Sequence, residues 1–401
     1  MKIRNLVKDK NIYLLLLAAF IISATGLSID SVQWRVSSNN SGWVSIFQSV
    51  MFMSGLFISV VGSNVFKDRI LRIAWVFSFV CYLSAIVNND DWSVKALVVM
   101  TFNIFAPPLG ISFGKYLMMH IQRTNHELTL FILQIPTLIV GFMLLGISGK
   151  FDSDCSFAFF IFMPFIFFFR NDYLKIAFVA FYGILVLLAG KRSVSIAYIS
   201  SVFIYLFYYL VINKSHRHRD LLKKAVLFCA SILAVIIFIS YFSSQVQTLM
   251  ERFRMIEDDG GSGRNDIYEL LLDQFQKGSI ENLFFGHGYF SVVKDFEIGA
   301  HNDFLEILYD YGIFALLLII CLLYRLIAKW VYTTKTNVKT GEYSYVLLVN
   351  IVIILVLGML NCLVTSTYFN YVNYIAVGAT LQSISVRSAL SARLSIQTRQ
   401  L

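Results

Sequence analysis

The chain has 401 residues, 58% of them hydrophobic and 14% charged, with 4 prolines and a formal net charge of +9. Soluble domains hold about 45–50% apolar and about 25% charged residues, so this composition excludes an ordinary globular protein and points to an integral membrane protein. The positive charge is no sign of nucleic-acid binding, because polytopic proteins concentrate Lys and Arg on their cytoplasmic side.

A helix that crosses about 30 Å of hydrocarbon needs roughly 17–25 mainly apolar residues. Such runs fall at 12–29, 44–61, 70–87, 96–114, 128–148, 156–169, 173–189, 194–213, 225–242, 312–328, 344–364 and 371–386. The sixth is short, and the twelfth carries Asn373 and Gln382. The expected fold is all-α, a polytopic membrane protein of about 12 transmembrane helices forming a single domain over 1–401, with a large helical loop between the ninth and tenth spans. Residues 1–26 have the basic start and apolar core of a signal peptide, but the spans that follow favour an uncleaved first helix.

With Lys2, Arg4, Lys8 and Lys10 placed in the cytoplasm, most of the 33 basic residues fall inside and most of the 24 acidic residues outside. The net charge is then a topology signal that sets both termini in the cytoplasm and the loop at 243–311 on the opposite face. Cys81, Cys229, Cys321 and Cys362 lie within spans, and no disulfide framework or zinc spacing appears. Pro107, Pro108, Pro136 and Pro164 fall in the fourth to sixth spans, where each removes a backbone bond and favours a kink.

The long loop has its own helical periodicity. Val246, Leu249, Phe253 and Ile256 are helically spaced, as are Ile267, Leu270, Leu271 and Phe275, which predicts two amphipathic helices on the outer face. Between them DDGGSGRND, at 258–266, has the glycines of a tight turn and a cap for the second helix in Ser262 or Asn265.

The middles of the spans are almost free of ionisable residues, which speaks against a proton-coupled pump or an ion channel. Polar groups gather instead at the outer boundary. Lys191 and Arg192 form an adjacent basic pair on the side where basic residues are disfavoured; they suit a phosphate, and an ordinary headgroup anchor is the alternative. Arg264 precedes a predicted helix whose free N–H groups also favour an anion, the alternative being an ion pair with Asp258, Asp259 or Asp266.

In GAHNDFLEILYDYG, at 299–312, Asp303, Glu306 and Asp310 line one helix face while Phe304, Leu305, Leu308 and Tyr311 line another. This predicts an interfacial helix capped by Asn302 or Asp303, with Gly312 turning the chain into the membrane. Capping does not account for His301. A histidine there can take a proton from a hydroxyl near neutral pH, although a lone histidine is more often structural. Metal binding by His287, His301, Asp295 and Glu297 is a third reading that matches no zinc spacing, and His216 and His218 belong to a basic cytoplasmic loop.

Four stretches together resemble one family. GKRS at 190–193, SGRNDIY at 262–268, FFGHGY at 284–289 and AHNDFLEILYDYGIFALLL at 300–318 are similar, in order and spacing, to the polytopic O-antigen polymerases and O-antigen ligases of bacterial envelope polysaccharide synthesis. The resemblance implies a glycosyltransferase of the bacterial inner membrane, independent of metal and of any cofactor. It would work at the periplasmic face on an undecaprenyl diphosphate-linked glycan.

Carried over residue by residue, Arg192 and Arg264, with Lys191, become ligands of the diphosphate, His301 the base on the acceptor hydroxyl, and Asn302, Gly286 and Gly288 supporting residues. GKRS looks more like the polymerases, which lengthen a lipid-linked glycan, than the ligases, which deliver it to lipid A-core. A lipid-linked oligosaccharide flippase is the reading from another class. Beyond substrate and bilayer, a chain-length regulator is an implied partner.

Overall fold

The computed structural model describes residues 9–33, 43–62, 68–88, 93–122, 126–146, 155–208, 247, 251, 264–336, 341–360 and 367–397. Among these the regular structure is helical, with no strand. The helices of the first half are α1 (Lys10–Gln33), α2 (Trp43–Gly62), α3 (Arg69–Val87), α4 (Val94–Ile121), α5 (His126–Leu133), α6 (Ile135–Gly146), α7 (Cys155–Phe160) and α8 (Met163–Ile166). They are followed by α9 (Asp172–Ala189), α10 (Arg192–Phe207), α11 (Arg264–Lys277), α12 (Ile280–Phe285), α13 (Ser291–Phe296), α14 (Asp303–Thr336), α15 (Gly341–Leu360) and α16 (Thr367–Gln397).

Among the described residues, 7 helical stretches are long and apolar enough to cross a membrane: Lys10–Ile29, Trp43–Val61, Arg69–Val87, Ala96–Ile121, His126–Met143, Asp303–Lys335 and Tyr343–Leu360. They coincide with the first five, the tenth and the eleventh predicted spans. The eighth is the shorter apolar helix Arg192–Phe207, and the seventh and twelfth fall on α9 and α16. The ninth, 225–242, and the first loop helix, with Val246, Leu249, Phe253 and Ile256, lie outside the described residues, Gln247 and Glu251 apart.

The sixth expected span is corrected. Residues 156–169 do not form one helix but the short α7 and α8, joined by a turn at Ile161 and Phe162. Every side chain from Phe159 to Phe169 is buried, so this phenylalanine-rich run is interior packing. Pro164 sits in the first turn of α8, where a missing N–H leaves no helical bond unmade.

The tightest contact in the bundle is between α4 and α16. Gly110 and Gly114 of α4 face the backbone of Tyr371 and Ile375, and Gly378 of α16 faces the carbonyl of Ile111, so a methyl group at any of them would collide with the facing chain. Small residues one turn apart let helix backbones approach, which is how apolar helices associate where lipid gives them no hydrophobic incentive to do so. Pro107 and Pro108 lie within α4, which continues through them.

The break between α5 and α6 has a polar cause as well as a proline. At Gln134, two residues before Pro136, the Tyr182 hydroxyl donates to Gln134 Oε1 at 2.8 Å and lies 2.9 Å from Thr137 Oγ1. At the opposite end of the bundle from the site described below, Asp68 caps α3, accepting from the N–H groups of Ile70 and Leu71, and pairs with Lys115 of α4. Burial raises the Asp68 carboxyl, but the Lys115 charge and these hydrogen bonds outweigh it and hold the group below its ordinary value.

Candidate functional site

The turn GKRS is two residues of connection between α9 and α10. Gly190 ends α9 in the left-handed region at φ 60°, donating its N–H to the Val186 carbonyl, and Lys191 is the N-cap of α10. Lys191 supplies no side-chain acceptor to the free N–H groups; its ammonium lies over the Phe157 ring, 4.2 Å from the centroid. Arg192 is the first residue of α10 and is half-buried. Ser193 follows, 4% exposed, its hydroxyl buried without a hydrogen-bond partner.

The second basic position lies on α11. Arg264 is the first described residue of α11 and Asn265 stands inside that helix, so Asn265 is not the N-cap that the sequence suggested; Ser262 lies outside the described residues. Arg192 occupies the first position of a helix, where unbonded N–H groups and the helix dipole present positive charge and favour an anion over a cation. A basic residue at such a position makes electrostatic sense with an anion beside it.

Helix α11 buries Ile267 and Leu271 against Val292, Ala300 and Tyr309, forming a small core separate from the main one. Leu270, expected on the same face, is instead 52% exposed, because the face that docks is lined by Ile267, Tyr268 and Leu271. The small core thus anchors the start of α11 beside Ala300, the residue before His301.

From 286 to 312 the chain is locked by two glycines. Gly286, at φ 72°, lies against the backbone of Asp310 and Tyr311, and Gly312, at φ 79°, lies against that of Phe284 and Phe285; neither site has room for a Cβ. The N–H groups of His287 and Gly288 donate to the carbonyls of Tyr309 and Asp310 at 3.0 and 2.8 Å, while Ser84 of α3 donates to the Phe285 carbonyl. FFGHG and YDYG are therefore two halves of one clasp.

His287 Nδ1 is 3.1 Å from the Tyr309 carbonyl, which can only accept, so Nδ1 carries the proton; the ring stacks on Tyr309 with centroids 4.2 Å apart. The Tyr309 hydroxyl in turn donates to Asp295 at 2.8 Å. Two members of the set weighed as metal ligands, His287 and Asp295, are thus engaged with Tyr309, and among the described residues no group of three or more His, Cys, Asp or Glu is arranged to hold a metal ion.

The head of α14 corrects the expected interfacial helix. Asp303, Glu306 and Asp310 do share one face, but that face is buried, at 5%, 2% and 2% exposure. The reason is structural demand from other elements. The Asp310 carboxylate accepts from the N–H groups of Phe290 and Val292 at 3.1 and 3.0 Å, capping α13 from across the clasp, since the N-cap Phe290 has no acceptor of its own. Asp303 abuts Gly358 of α15. Asn302 is the true cap of α14, its Oδ1 accepting from Phe304 and Leu305 at 3.0 and 3.3 Å. Gly312, as expected, divides this head from the spanning part of the helix.

His301 is half-buried and stands at φ 54°, in the left-handed region that costs a non-glycine residue about 1–2 kcal/mol. It has company: apart from Gly190, every described residue of left-handed φ lies between 286 and 312. Concentrated backbone strain of this kind is typical of functional sites. Above the clasp, Asn103 of α4 donates to the Tyr289 hydroxyl, which burial pushes up to about 12.

Helix α15 brings the distant motifs to one end of the bundle. Tyr205 of α10 and Tyr208, the residue that follows the helix, pack on Tyr345, near the start of α15, whereas Asp303 meets Gly358 near its end. Arg192 precedes Tyr205 by as many residues as Gly358 follows Tyr345, so the antiparallel α10 carries GKRS back to the level of Asp303 and His301. The sequence pointed to Lys191, Arg192, Arg264, Asn302, His301, Gly286 and Gly288. It missed the cap role of Asp310, the burial of Glu306 and the buried hydroxyl of Ser193, which have no signal in spacing alone.

Fold and site define a class: a multi-pass helical membrane protein with a basic, strained polar site at one end of its bundle. Residues 176–320 match the family model described as O-Antigen ligase, a segment that runs from α9 through the clasp into α14. The resemblance to the O-antigen polymerase and ligase family therefore holds, and proteins of that family are enzymes of glycosyl transfer. No curated protein matches the chain.

Proposed function

We propose that the protein polymerises undecaprenyl diphosphate-linked oligosaccharide repeat units into O-antigen or a related surface polysaccharide, at the periplasmic face of the bacterial inner membrane. The observation that carries this reading is the helix N-terminus occupied by Arg192, which suits a diphosphate better than any neutral ligand, with Arg264 on α11, the helix packed beside Ala300. Lys191 adds a third cation at the same turn.

The chemistry needs little else. The leaving lipid diphosphate is already a stable anion, so it requires charge stabilisation and no proton. His301 takes the proton of the acceptor hydroxyl as that oxygen attacks the anomeric carbon and the bond to the diphosphate breaks. Asn302 holds the turn on which His301 stands, Gly286 lets the clasp close, and Gly288 lets the chain pass Asn88 at the end of α3. A single displacement of this kind inverts the anomeric configuration, and the arginines take the place that a divalent metal has in other transferases.

The ligase is the second reading, since it shares the donor and the same residues serve it. A flippase is disfavoured by the scarcity of ionisable residues within the spans. The deciding experiment gives purified, lipid-reconstituted protein undecaprenyl diphosphate repeat units, with and without lipid A-core, and resolves the products on a gel. A ladder from repeat units alone is the expected result. Product only when lipid A-core is present would make the protein a ligase, and none in either case would reject glycosyl transfer for these substrates.

A further inference from the structure

Helix α12 is short, yet three of its six residues are large, apolar and exposed: Ile280 at 72%, Phe284 at 36% and Phe285 at 52%. Its place explains why. Helix α12 packs on both α14 and α3, with the Phe285 carbonyl held by Ser84 and the Phe284 ring stacked on Phe314, centroids 5.1 Å apart. Both supporting helices carry an exposed apolar row past this point. On α3 the row is Phe79, Leu83 and Val87, and it runs one turn further out than Ser84; on α14 it is Phe314, Leu317 and Ile320, and it begins two residues after Gly312. Helix α12 thus lies within the height of the apolar belt, and its exposed side chains continue a surface that two membrane-crossing helices already turn to lipid.

We infer that α12 is a monotopic anchor, docked in the acyl region of the adjoining leaflet through Ile280, Phe284 and Phe285. The occupant of this face is bilayer lipid, because the face is continuous with the lipid-facing rows of α3 and α14. The exposed Asp273–Lys277 ion pair on the preceding helix marks where the chain leaves the apolar level. The glycine clasp makes the anchor rigid with respect to the site: Gly286 and Gly312 fix α12 to the head of α14, so the depth at which Phe284 and Phe285 rest sets the height of His287 and His301 at the headgroups. This inference depends on the protein being embedded in a membrane and is independent of the reaction it catalyses.

The test uses the unaltered chain in phosphatidylethanolamine–phosphatidylglycerol bilayers, labelled in parallel by a lipid-confined photoactivated carbene and by hydroxyl radicals generated in the water, each read by peptide mass spectrometry. The lipid-phase reagent is expected to label the 280–285 segment at the level of Phe314 and Val87, and several-fold above the exposed Glu269 and Asp273. The aqueous footprint should show the reverse order. Strong aqueous labelling of Phe284 and Phe285, with lipid-phase labelling no higher than that of Asp273, would overturn the anchor. In detergent-free protein stripped of lipid, the protection from water should disappear.

Discussion

His301 stands at a left-handed position between a buried alanine and the asparagine that caps α14, so its ring is carried by a turn with little freedom to adjust. If it is the base, His301→Ala lowers turnover by about 10²–10⁴-fold while donor binding is kept, the usual contribution of general base catalysis. Arg264→Ala should instead weaken donor binding as well, by about 10–100-fold, the loss of one hydrogen bond to a charged group. Turnover and donor affinity measured on both variants separate the roles, and near-normal turnover by the histidine variant rejects the base assignment. Gly312→Ala tests the clasp: at φ 79° and ψ −179° the backbone is in a region nearly restricted to glycine, so the strain alone costs about 1–3 kcal/mol, and the added methyl also meets the Phe284 carbonyl. A lower melting temperature together with lost transfer is expected, with a wild-type melting curve as the contrary outcome. The sequence marked His301 and Gly312 because a histidine ahead of a cap and a glycine ahead of an apolar run are local signals. It gave the wrong surroundings for Asp303, Glu306 and Asp310, because a helix wheel separates faces without saying which of them other elements will cover.

At the scale of elements, helix ends do most of the positioning. Asn302 caps α14, Asp310 caps α13 from a distance, and Lys191 and Arg192 begin α10 without an acceptor from the N-cap side chain. Asp68 shows the same logic at the other end of the bundle, joining the start of α3 to Lys115 of α4. Because its folded value is depressed, the stability it contributes is complete above the ordinary carboxylate value of about 4 and is lost as pH falls through the lower, folded value. Melting temperatures of the solubilised protein between about pH 6 and about pH 3 should fall less steeply for Asp68→Asn than for the unaltered chain, from a lower starting point. Parallel curves would remove Asp68 from the acid response. Span positions were readable from apolar runs, since each spanning helix must carry its own length of hydrocarbon-compatible sequence. The phenylalanine run at 157–169 deceived that reading, because an apolar segment surrounded by protein obeys the same composition without having to cross anything.

For the whole molecule, the juxtaposition that matters is made by α15, which aligns the start of α10 with the head of α14 at one end of the bundle. If arginines replace a metal at that end, glycosyl transfer in reconstituted vesicles should proceed unchanged after exhaustive treatment with a chelator such as EDTA. Loss of activity on chelation, restored by added magnesium or manganese, would show that the diphosphate is held through a cation. The anomeric configuration of the new linkage, read by nuclear magnetic resonance, tests the single displacement at the same time, with retention counting against it.

The sequence by itself determined the class, because apolar length and charge asymmetry are properties of each segment and need no partner. It also singled out GKRS, SGR and AHND, which combine charge, glycine and imidazole in patterns that packing alone does not require. Only the tertiary structure decided that Arg192 occupies the first position of a helix, that two glycines far apart in the chain clasp each other's backbone, and that three carboxylates point inward. Those are relations between segments separated by many residues, and they arise when the helices pack and their ends are satisfied.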